Sequence, residues 1–281
     1  MQLVVPRRTD NKIARLPRTR RKSVVGQGVL VLLGLQVFFF SSFFALDLPT
    51  ATGQNLDRWA HIQAKQTIDA IPEKWMVQIT KYVNIPDIPQ PTKAVRWSLY
   101  SPQAPVAVFL GYILGWPIAT VAAGLFIIVG LIGPYFGLNP FASGGGLDYY
   151  SQPGFGYLLG ILAATFVVAK ITGNKRTSIR QVGAIVAGLV TVHAIGLGYL
   201  MGAALVCSML EGVRPDWLPW VFEQARNLSW VSLPYDAVFA LALVGLGFPF
   251  RYLVEMLTAP DIGLKTENDR VAAKRIEELL H

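Results

Sequence analysis

Residues 133–160 read GPYFGLNPFASGGGLDYYSQPGFGYLLG and separate two long apolar runs of the chain. A triple glycine lies at the centre of this stretch. Glycine can adopt a positive φ, which lets backbone amides approach a ligand closely. Polar side chains follow directly, namely Asp148, Tyr149 and Tyr150. Two interpretations are open at this point: a loop that binds a small ligand, or a plain connector between two membrane helices.

The composition indicates that this stretch belongs to a membrane protein. Of the 281 residues, 53% are hydrophobic and 15% are charged, and the mean hydropathy is +0.43. Such a chain is too apolar for an ordinary soluble domain and long enough for several spans. The net charge is +8, but the basic residues cluster beside apolar segments, which is typical of a membrane orientation signal and not of a nucleic-acid site.

The amino-terminal part predicts a basic tail followed by a membrane anchor. Residues 1–22 hold eight Lys or Arg side chains and one acid, a composition typical of a disordered segment near anionic lipid. The next segment, 23–46, contains a 23-residue uncharged run that is long enough to cross a hydrocarbon core of roughly 30 Å. This run is too long for a signal-peptide core, so we expect it to be retained as the first transmembrane helix.

Residues 47–103 form the one long polar segment of the sequence, with six basic and five acidic side chains. Apolar residues recur at every third or fourth position on both sides of Pro72, which predicts two short amphipathic helices. These helices could lie in the membrane interface, or they could form a cap docked on the spans or on a partner protein. His61 has no second ligand at metal-binding spacing, so we expect an exposed histidine on a helix face.

The remainder of the membrane domain, residues 104–258, predicts five further spans. Pro117 suits the first turn of a new helix, so the Gly115-Trp116-Pro117 turn divides a 51-residue uncharged run into two helices. The predicted spans are 24–46, 104–114 with its flanks, 118–138, 149–169, 181–210 and 233–257. The predicted fold class is an all-α membrane protein of six transmembrane helices, with an extra, partly helical extracytoplasmic segment between spans one and two.

Loop charges predict the orientation of these spans. Four basic residues without an acid lie between spans four and five, and the positive-inside rule assigns such a loop to the cytoplasm; they are Lys170, Lys175, Arg176 and Arg180. With the basic tail also inside, we expect both termini to be cytoplasmic. Residues 47–103 would then face outward, together with the loop around the triple glycine between spans three and four, which we call the glycine loop. Residues 259–281 then form a charged cytoplasmic tail. We expect a multi-pass protein of a bacterial-type plasma membrane, in contact with lipid and without a nucleic-acid partner.

Three short motifs resemble one family of membrane proteins. They are Gly111-Tyr112-Ile113-Leu114-Gly115, the NPFASGGG run at 139–146, and the PGFGYLLG run at 153–160. Together they make the sequence similar to the BioY family, the biotin-binding S components of energy-coupling factor (ECF) transporters. The resemblance implies a six-helix, S-component-like bundle that binds biotin near its outer surface. It also implies two partners, a transmembrane coupling protein and a cytoplasmic pair of ATPase subunits.

The resemblance also implies where a ligand would bind. Six residues match positions that shape or contact the ligand site in the family: Gly145, Gly146, Pro153, Gly156, Tyr157 and Asp236. Together with the neighbouring loop residues, the predicted substrate-binding residues are Gly144, Gly145, Gly146, Asp148, Tyr149, Gly156, Tyr157 and Asp236. Phe239 departs from the family pattern, in which a lysine three residues after the aspartate is typical.

Four acidic or basic residues lie within the predicted spans five and six, and we expect different roles for them. A carboxylate near a membrane span is costly to bury, so Asp236 is a functional candidate, with an interfacial helix cap as the alternative. His193 is alone in span five and is interpreted as a helix-packing group, not as a proton relay. We therefore expect Asp236→Ala to abolish binding and His193→Ala to preserve it. Arg251 and Glu255 lie four residues apart and are interpreted as a structural or partner-facing pair.

These observations predict that the chain is the substrate-binding membrane subunit of a vitamin uptake transporter and that the vitamin is biotin. The sequence has no GxxxxGK(S/T) motif for ATP binding, so we expect a separate module to hydrolyse ATP. We expect that this chain is not an enzyme and that it binds no cofactor or metal. The alternative is a BioY-like membrane protein with no transport role, acting as an assembly or structural factor through residues 47–103.

Overall fold

The computed structural model describes residues 23–84, 93–141, 144–173, 178–210 and 217–258. The predictions for the tails at 1–22 and 259–281 lie outside these residues, as do Lys175 and Arg176 of the basic loop.

The described ranges contain nine α-helices and one two-stranded antiparallel sheet. The helices are α1 (Val24–Phe43), α2 (Gly53–Asp69), α3 (Glu73–Ile79), α4 (Gln103–Leu114), α5 (Ile118–Ile132), α6 (Phe155–Thr172), α7 (Ser178–Leu210), α8 (Trp217–Ala225) and α9 (Leu233–Leu257). The strands are β1 (Leu46–Pro49) and β2 (Trp97–Tyr100). Two 3₁₀ turns, Gly133–Phe136 and Leu147–Ser151, flank the triple glycine, and a π-helical turn, Arg226–Trp230, joins α8 to α9.

Five helical stretches of the described chain are long and apolar enough to cross a membrane, so the protein is a multi-pass membrane protein. They are α1, α5 with its following turn, α6, α7, and the stretch from α8 through α9. Six spans are predicted from the sequence, and five are confirmed. The predicted and observed bounds of these helices differ mainly where α5 and α6 give way to 3₁₀ turns on either side of the glycine loop.

The remaining predicted span, at 104–114, is α4, which has only 12 residues. At about 1.5 Å per residue it is roughly 18 Å long, too short to cross the hydrocarbon core by itself. Every residue of α4 except Gln103 and Phe109 is buried, because α1, α6 and α9 pack around it. Gly115, with φ 68°, then ends the helix. The helix is therefore a core element of the bundle, and the predicted sixth span is not confirmed.

The two strands form a short ribbon that the sequence patterns do not predict. Strand β1 directly follows α1, and strand β2 directly precedes α4. Strand β1 pairs with β2 so that Leu46 is opposite Tyr100. Buried Asn55 fixes the base of the ribbon. Its side-chain amide donates to the carbonyls of Thr50 (3.0 Å) and Arg96 (2.8 Å), and its Oδ1 accepts from the Arg96 N–H (2.8 Å). The ribbon thereby fixes residue 100 relative to the ends of α1 and α4.

The two amphipathic helices predicted within residues 47–103 are confirmed as α2 and α3. Pro72 is the N-cap residue of α3, as expected for a residue that lacks a backbone N–H. The Trp75 and Val77 side chains on α3 are 57% and 60% exposed. The His61 side chain is 42% exposed on α2, in agreement with the prediction of a histidine on a helix face, and its Nδ1 lies 2.8 Å from the Asp57 carbonyl oxygen.

Arg251 connects three helices at the end of the bundle opposite the glycine loop. Its guanidinium donates to the carbonyl of Tyr112 (3.2 Å), near the end of α4, and to the carbonyl of Gly173 (2.8 Å), just after α6. The guanidinium also lies over the Tyr112 ring, 5.4 Å from its centroid. A cation at two helix carboxyl termini is favourable because their carbonyls carry partial negative charge. These contacts give Arg251 a structural role, while its predicted pairing with Glu255 lies outside the described side chains.

Close packing of α6 against α7 depends on Gly160. A Cβ at this position would lie 2.6 Å from the carbonyl oxygen and 2.8 Å from the Cα of Val192, which are backbone atoms that cannot rotate away. We expect Gly160→Ala to destabilise the protein by about 1–3 kcal/mol, seen as a lower unfolding temperature in detergent. Gly198→Ala is the matched control on α7, because no atom lies within 4 Å of the added Cβ. Equal unfolding temperatures for the two variants would refute this packing.

Candidate functional site

A cavity of about 300 Å³ lies at the end of the bundle that carries the ribbon and the glycine loop. It is enclosed by β2, α4, α6, α7, α9 and the turn between α8 and α9. Much of the wall is apolar or aromatic, including Phe141, Tyr149, Leu158, Ile161 and Val192. A small number of polar side chains converge on the same space. This combination is typical of sites for small organic ligands.

Asp236 is the buried acid of this cavity, with 3% of its surface exposed. It lies in the first turn of α9, where the partial positive charge of the helix amino terminus favours a carboxylate. The Tyr100 hydroxyl donates to Asp236 Oδ1 at 2.7 Å. Burial of Tyr100, and then the charge of Asp236 and their hydrogen bond, raise the pKa of the Tyr100 hydroxyl far above its ordinary value. Tyr100 therefore remains a protonated donor to the carboxylate.

His193 on α7 faces the same carboxylate. Its Nε2 lies 3.3 Å from Asp236 Oδ2, and only 8% of the residue is exposed. This contact is at ion-pair distance but lacks hydrogen-bond geometry, so Nε2 is a buried ring nitrogen without a hydrogen-bond partner among the described residues. The His193 ring lines the cavity beside the acid, a position that its interpretation as a helix-packing group does not predict.

Ser229, in the π-helical turn before α9, connects His193 to α6. Its Oγ lies 3.1 Å from His193 Nδ1 and 2.6 Å from the Tyr157 hydroxyl. A π-helical turn is a local irregularity that often occurs at functional sites. Tyr100, Asp236, His193, Ser229 and Tyr157 thus form a row of polar groups in which each lies within 3.3 Å of the next. All of them except Ser229 line the cavity, and we call the set the polar row.

The triple glycine shapes the wall behind the cavity. The Gly146 N–H donates to the Gly130 carbonyl at 3.0 Å, and Gly146 has a φ of 103° that favours glycine. A Cβ on Gly145 would lie 2.6 Å from that same carbonyl oxygen. The loop is therefore held close to the end of α5. Phe141 and Tyr149, on either side of the glycines, pack against each other with ring centroids 4.7 Å apart.

The predicted binding residues divide into two groups. Tyr149, Tyr157 and Asp236 line the cavity. The lining does not include the other five, Gly144, Gly145, Gly146, Asp148 and Gly156. Asp148 is exposed, and a Cβ at Gly156 would lie 2.3 Å from the Tyr199 Cβ, so this glycine allows α6 to approach α7. Direct contact of these five residues with a ligand stays a prediction.

Three members of the polar row are absent from the residues predicted as binding residues: Tyr100, His193 and Ser229. For His193 a signal is present in the sequence, because an ionisable group inside a membrane span is functional more often than structural. Tyr100 and Ser229 carry no such signal, since their roles depend on the ribbon and on the π-helical turn. Within the described ranges, no three His, Cys, Asp or Glu side chains are placed to hold a metal ion.

Comparison with known proteins assigns the chain to a family. A protein of Lysinibacillus sphaericus described as "Probable biotin transporter BioY" is 33% identical over 98 residues. These residues are 34% of this chain and 48% of that protein, so the similarity spans about half its length. A solved S-component for biotin from an ECF-type ABC transporter aligns over 65% of this chain and 95% of its own, with 18% identity and a TM-score of 0.42. The model of the BioY family matches residues 76–255, well over half of the chain, and the protein therefore belongs to the BioY family.

Proposed function

We propose that this chain is the substrate-binding membrane subunit of a vitamin uptake transporter and that its substrate is biotin. A separate ECF module, made of a coupling protein and ATPase subunits, would supply the energy. The observation that carries this proposal is the cavity with its polar row, which lies within the residues matched by the family model. The name of the Lysinibacillus sphaericus relative supports biotin as the vitamin.

The chemistry of the cavity suits a small bicyclic ligand that is polar at one end. The aromatic pair of Phe141 and Tyr149 offers flat apolar surface, and burying such surface favours binding by about 25 cal/mol per Å². A cyclic urea has N–H donors and a carbonyl acceptor. Asp236 can accept from those donors, since a carboxylate has about four acceptor positions, of which Tyr100 fills one.

The distribution of charge supports an outward-facing cavity. Lys170 and Arg180 lie at the opposite end of the bundle, near the Gly115 turn, where Lys170 Nζ is 5.5 Å from the Trp116 ring centroid. The positive-inside rule places such an end in the cytoplasm. We propose a plasma-membrane location in which the cavity opens to the outside and both termini are cytoplasmic.

Biotin uptake tests the transport function. The chain is produced in bacterial cells that can neither make nor import biotin, with and without an ECF coupling protein and its ATPases. We expect radiolabelled biotin to accumulate when the module is present. A protein that inserts in the membrane but supports no accumulation in either strain would contradict transport by this chain.

An assembly or structural role for residues 47–103 is the alternative function. The exposed Trp75 and Val77 side chains of α3 favour it, because apolar side chains on a projecting helix suit a partner surface. Removal of α3 separates the two functions. If the segment serves only assembly, its loss should abolish co-purification of a partner, and the intact chain should accumulate no biotin.

A further inference from the structure

We infer that the cavity recognises the uncharged ring end of its ligand and leaves the ligand's carboxylate at the cavity mouth without a cationic partner. Amides of biotin should therefore bind as well as biotin itself. This inference rests on the proposed function, and it concerns which end of the molecule the protein recognises.

The charged groups around the cavity do not favour a buried carboxylate. Among the described residues that line it, Asp236 is the one acid and no lysine or arginine is present. His193 is the one base, and its Nε2 lies 3.3 Å from the Asp236 carboxylate. A protonated His193 would neutralise Asp236, and a neutral His193 would leave the site negative. In neither state do the described lining residues carry the net positive charge that would favour a buried carboxylate.

Phe239 packs behind the Tyr100–Asp236 pair and is not itself among the residues that line the cavity. It lies three residues after Asp236, one turn along α9. Its ring stacks on Tyr100, with centroids 5.5 Å apart and an angle of 19° between the planes. Tyr100 in turn donates to Asp236 at 2.7 Å. This side of the acid is therefore filled by an aromatic pair and not by an ammonium group.

The free hydrogen-bonding capacity of the cavity suits a neutral group. Asp236 keeps acceptor capacity beyond the bond from Tyr100. The Nε2 atom of His193 is buried without a hydrogen-bond partner in the described part of the chain. In the tautomer protonated at Nε2 it can donate to a ligand carbonyl. A carbonyl flanked by N–H groups satisfies both side chains, whereas a carboxylate at the same place would oppose Asp236.

The mouth of the cavity gives the charged end of the ligand access to water. Leu99, which lines the cavity, is 74% exposed, and the lining residue Asn227 is also exposed. A carboxylate that reaches this rim keeps its hydration and avoids the cost of burial. Because an amide at the same place loses no ion pair, the change from acid to amide should be nearly neutral for binding.

Competition binding tests this inference. Purified protein in detergent is loaded with radiolabelled biotin, and the concentrations of unlabelled biotin and of biotin amide that displace half of the label are compared. We expect the two concentrations to agree within about threefold, whereas loss of a hydrogen bond to a charged group would separate them by about tenfold or more. An amide that is more than threefold weaker would overturn the inference while leaving biotin binding intact. Absence of biotin binding would instead overturn the proposed function, and the inference with it.

Two variants show that the assay detects a cation near the ligand. Phe239→Lys introduces an ammonium group one turn from Asp236 and should make the protein prefer the acid over the amide by about tenfold. Leu99→Lys introduces the same charge at the exposed rim, where folding tolerates it, and should shift the ratio about twofold to threefold in the same direction. The wild-type ratio decides the inference even if Phe239→Lys does not fold.

Discussion

Replacing Asp236 with asparagine is expected to weaken biotin binding by about tenfold to 100-fold. Each hydrogen bond to a charged group is worth about 1.5–3 kcal/mol, and 1.4 kcal/mol corresponds to a factor of ten in affinity. Asparagine has nearly the same shape but offers a neutral acceptor and an unwanted donor. It also removes the negative charge that faces His193 Nε2 at 3.3 Å. Equilibrium binding of radiolabelled biotin to the purified variant measures the loss.

Asp148→Asn is the matched control for this experiment. Asp148 is exposed and does not line the cavity, although it lies in the glycine loop. We expect its substitution to leave biotin affinity within about twofold, because surface charges contribute little. If Asp148→Asn weakened binding more than Asp236→Asn, the ligand would lie at the loop and the cavity would not be the site. Unfolding temperatures of both variants separate a loss of binding from a loss of fold.

Replacing His193 with alanine is expected to weaken biotin binding by roughly tenfold. The substitution removes the buried Nε2 beside Asp236 and the contact of Nδ1 with Ser229. The Asp236 carboxylate then faces the cavity with Tyr100 as its one described hydrogen-bond donor from a side chain. This expectation reverses the one drawn from sequence alone, in which His193 serves helix packing.

His61→Ala is the control for a histidine outside the site, because His61 is exposed on α2. It should bind biotin as the wild type does. If His193→Ala also bound biotin with wild-type affinity while folding normally, His193 would not take part in recognition and the sequence-based interpretation would be right. A tenfold loss in His193→Ala but not in His61→Ala would show that His193 takes part in recognition.

Much of the helical framework can be predicted from the sequence. Long uncharged runs and the breaks at Pro117 and Pro72 locate α1, α5, α6, α7, α9 and the two amphipathic helices, because apolar length and proline act locally. The predicted sixth span, at α4, is not confirmed, for a reason that is not local. Since neighbouring helices bury α4 on nearly every side, its apolar sequence reflects core packing, which composition alone cannot distinguish from contact with lipid.

The site is less predictable because its parts come from distant segments. Tyr100 meets Asp236 across 136 positions of sequence, and its position depends on the pairing of β1 with β2 and on the buried amide of Asn55. Ser229 reaches both His193 and Tyr157 from a π-helical turn, which no sequence period indicates. The glycine loop is found from the sequence, but its Gly145 packs against the Gly130 carbonyl of α5, while the neighbouring Tyr149 lines the cavity.

Equilibrium binding of radiolabelled biotin to the purified wild-type chain in detergent decides whether this protein is a biotin-binding subunit. We expect saturable binding of one biotin per chain with a dissociation constant at or below about 1 μM, which corresponds to roughly 8 kcal/mol. Absence of binding at micromolar biotin, in a preparation whose thermal unfolding shows an intact fold, would contradict it.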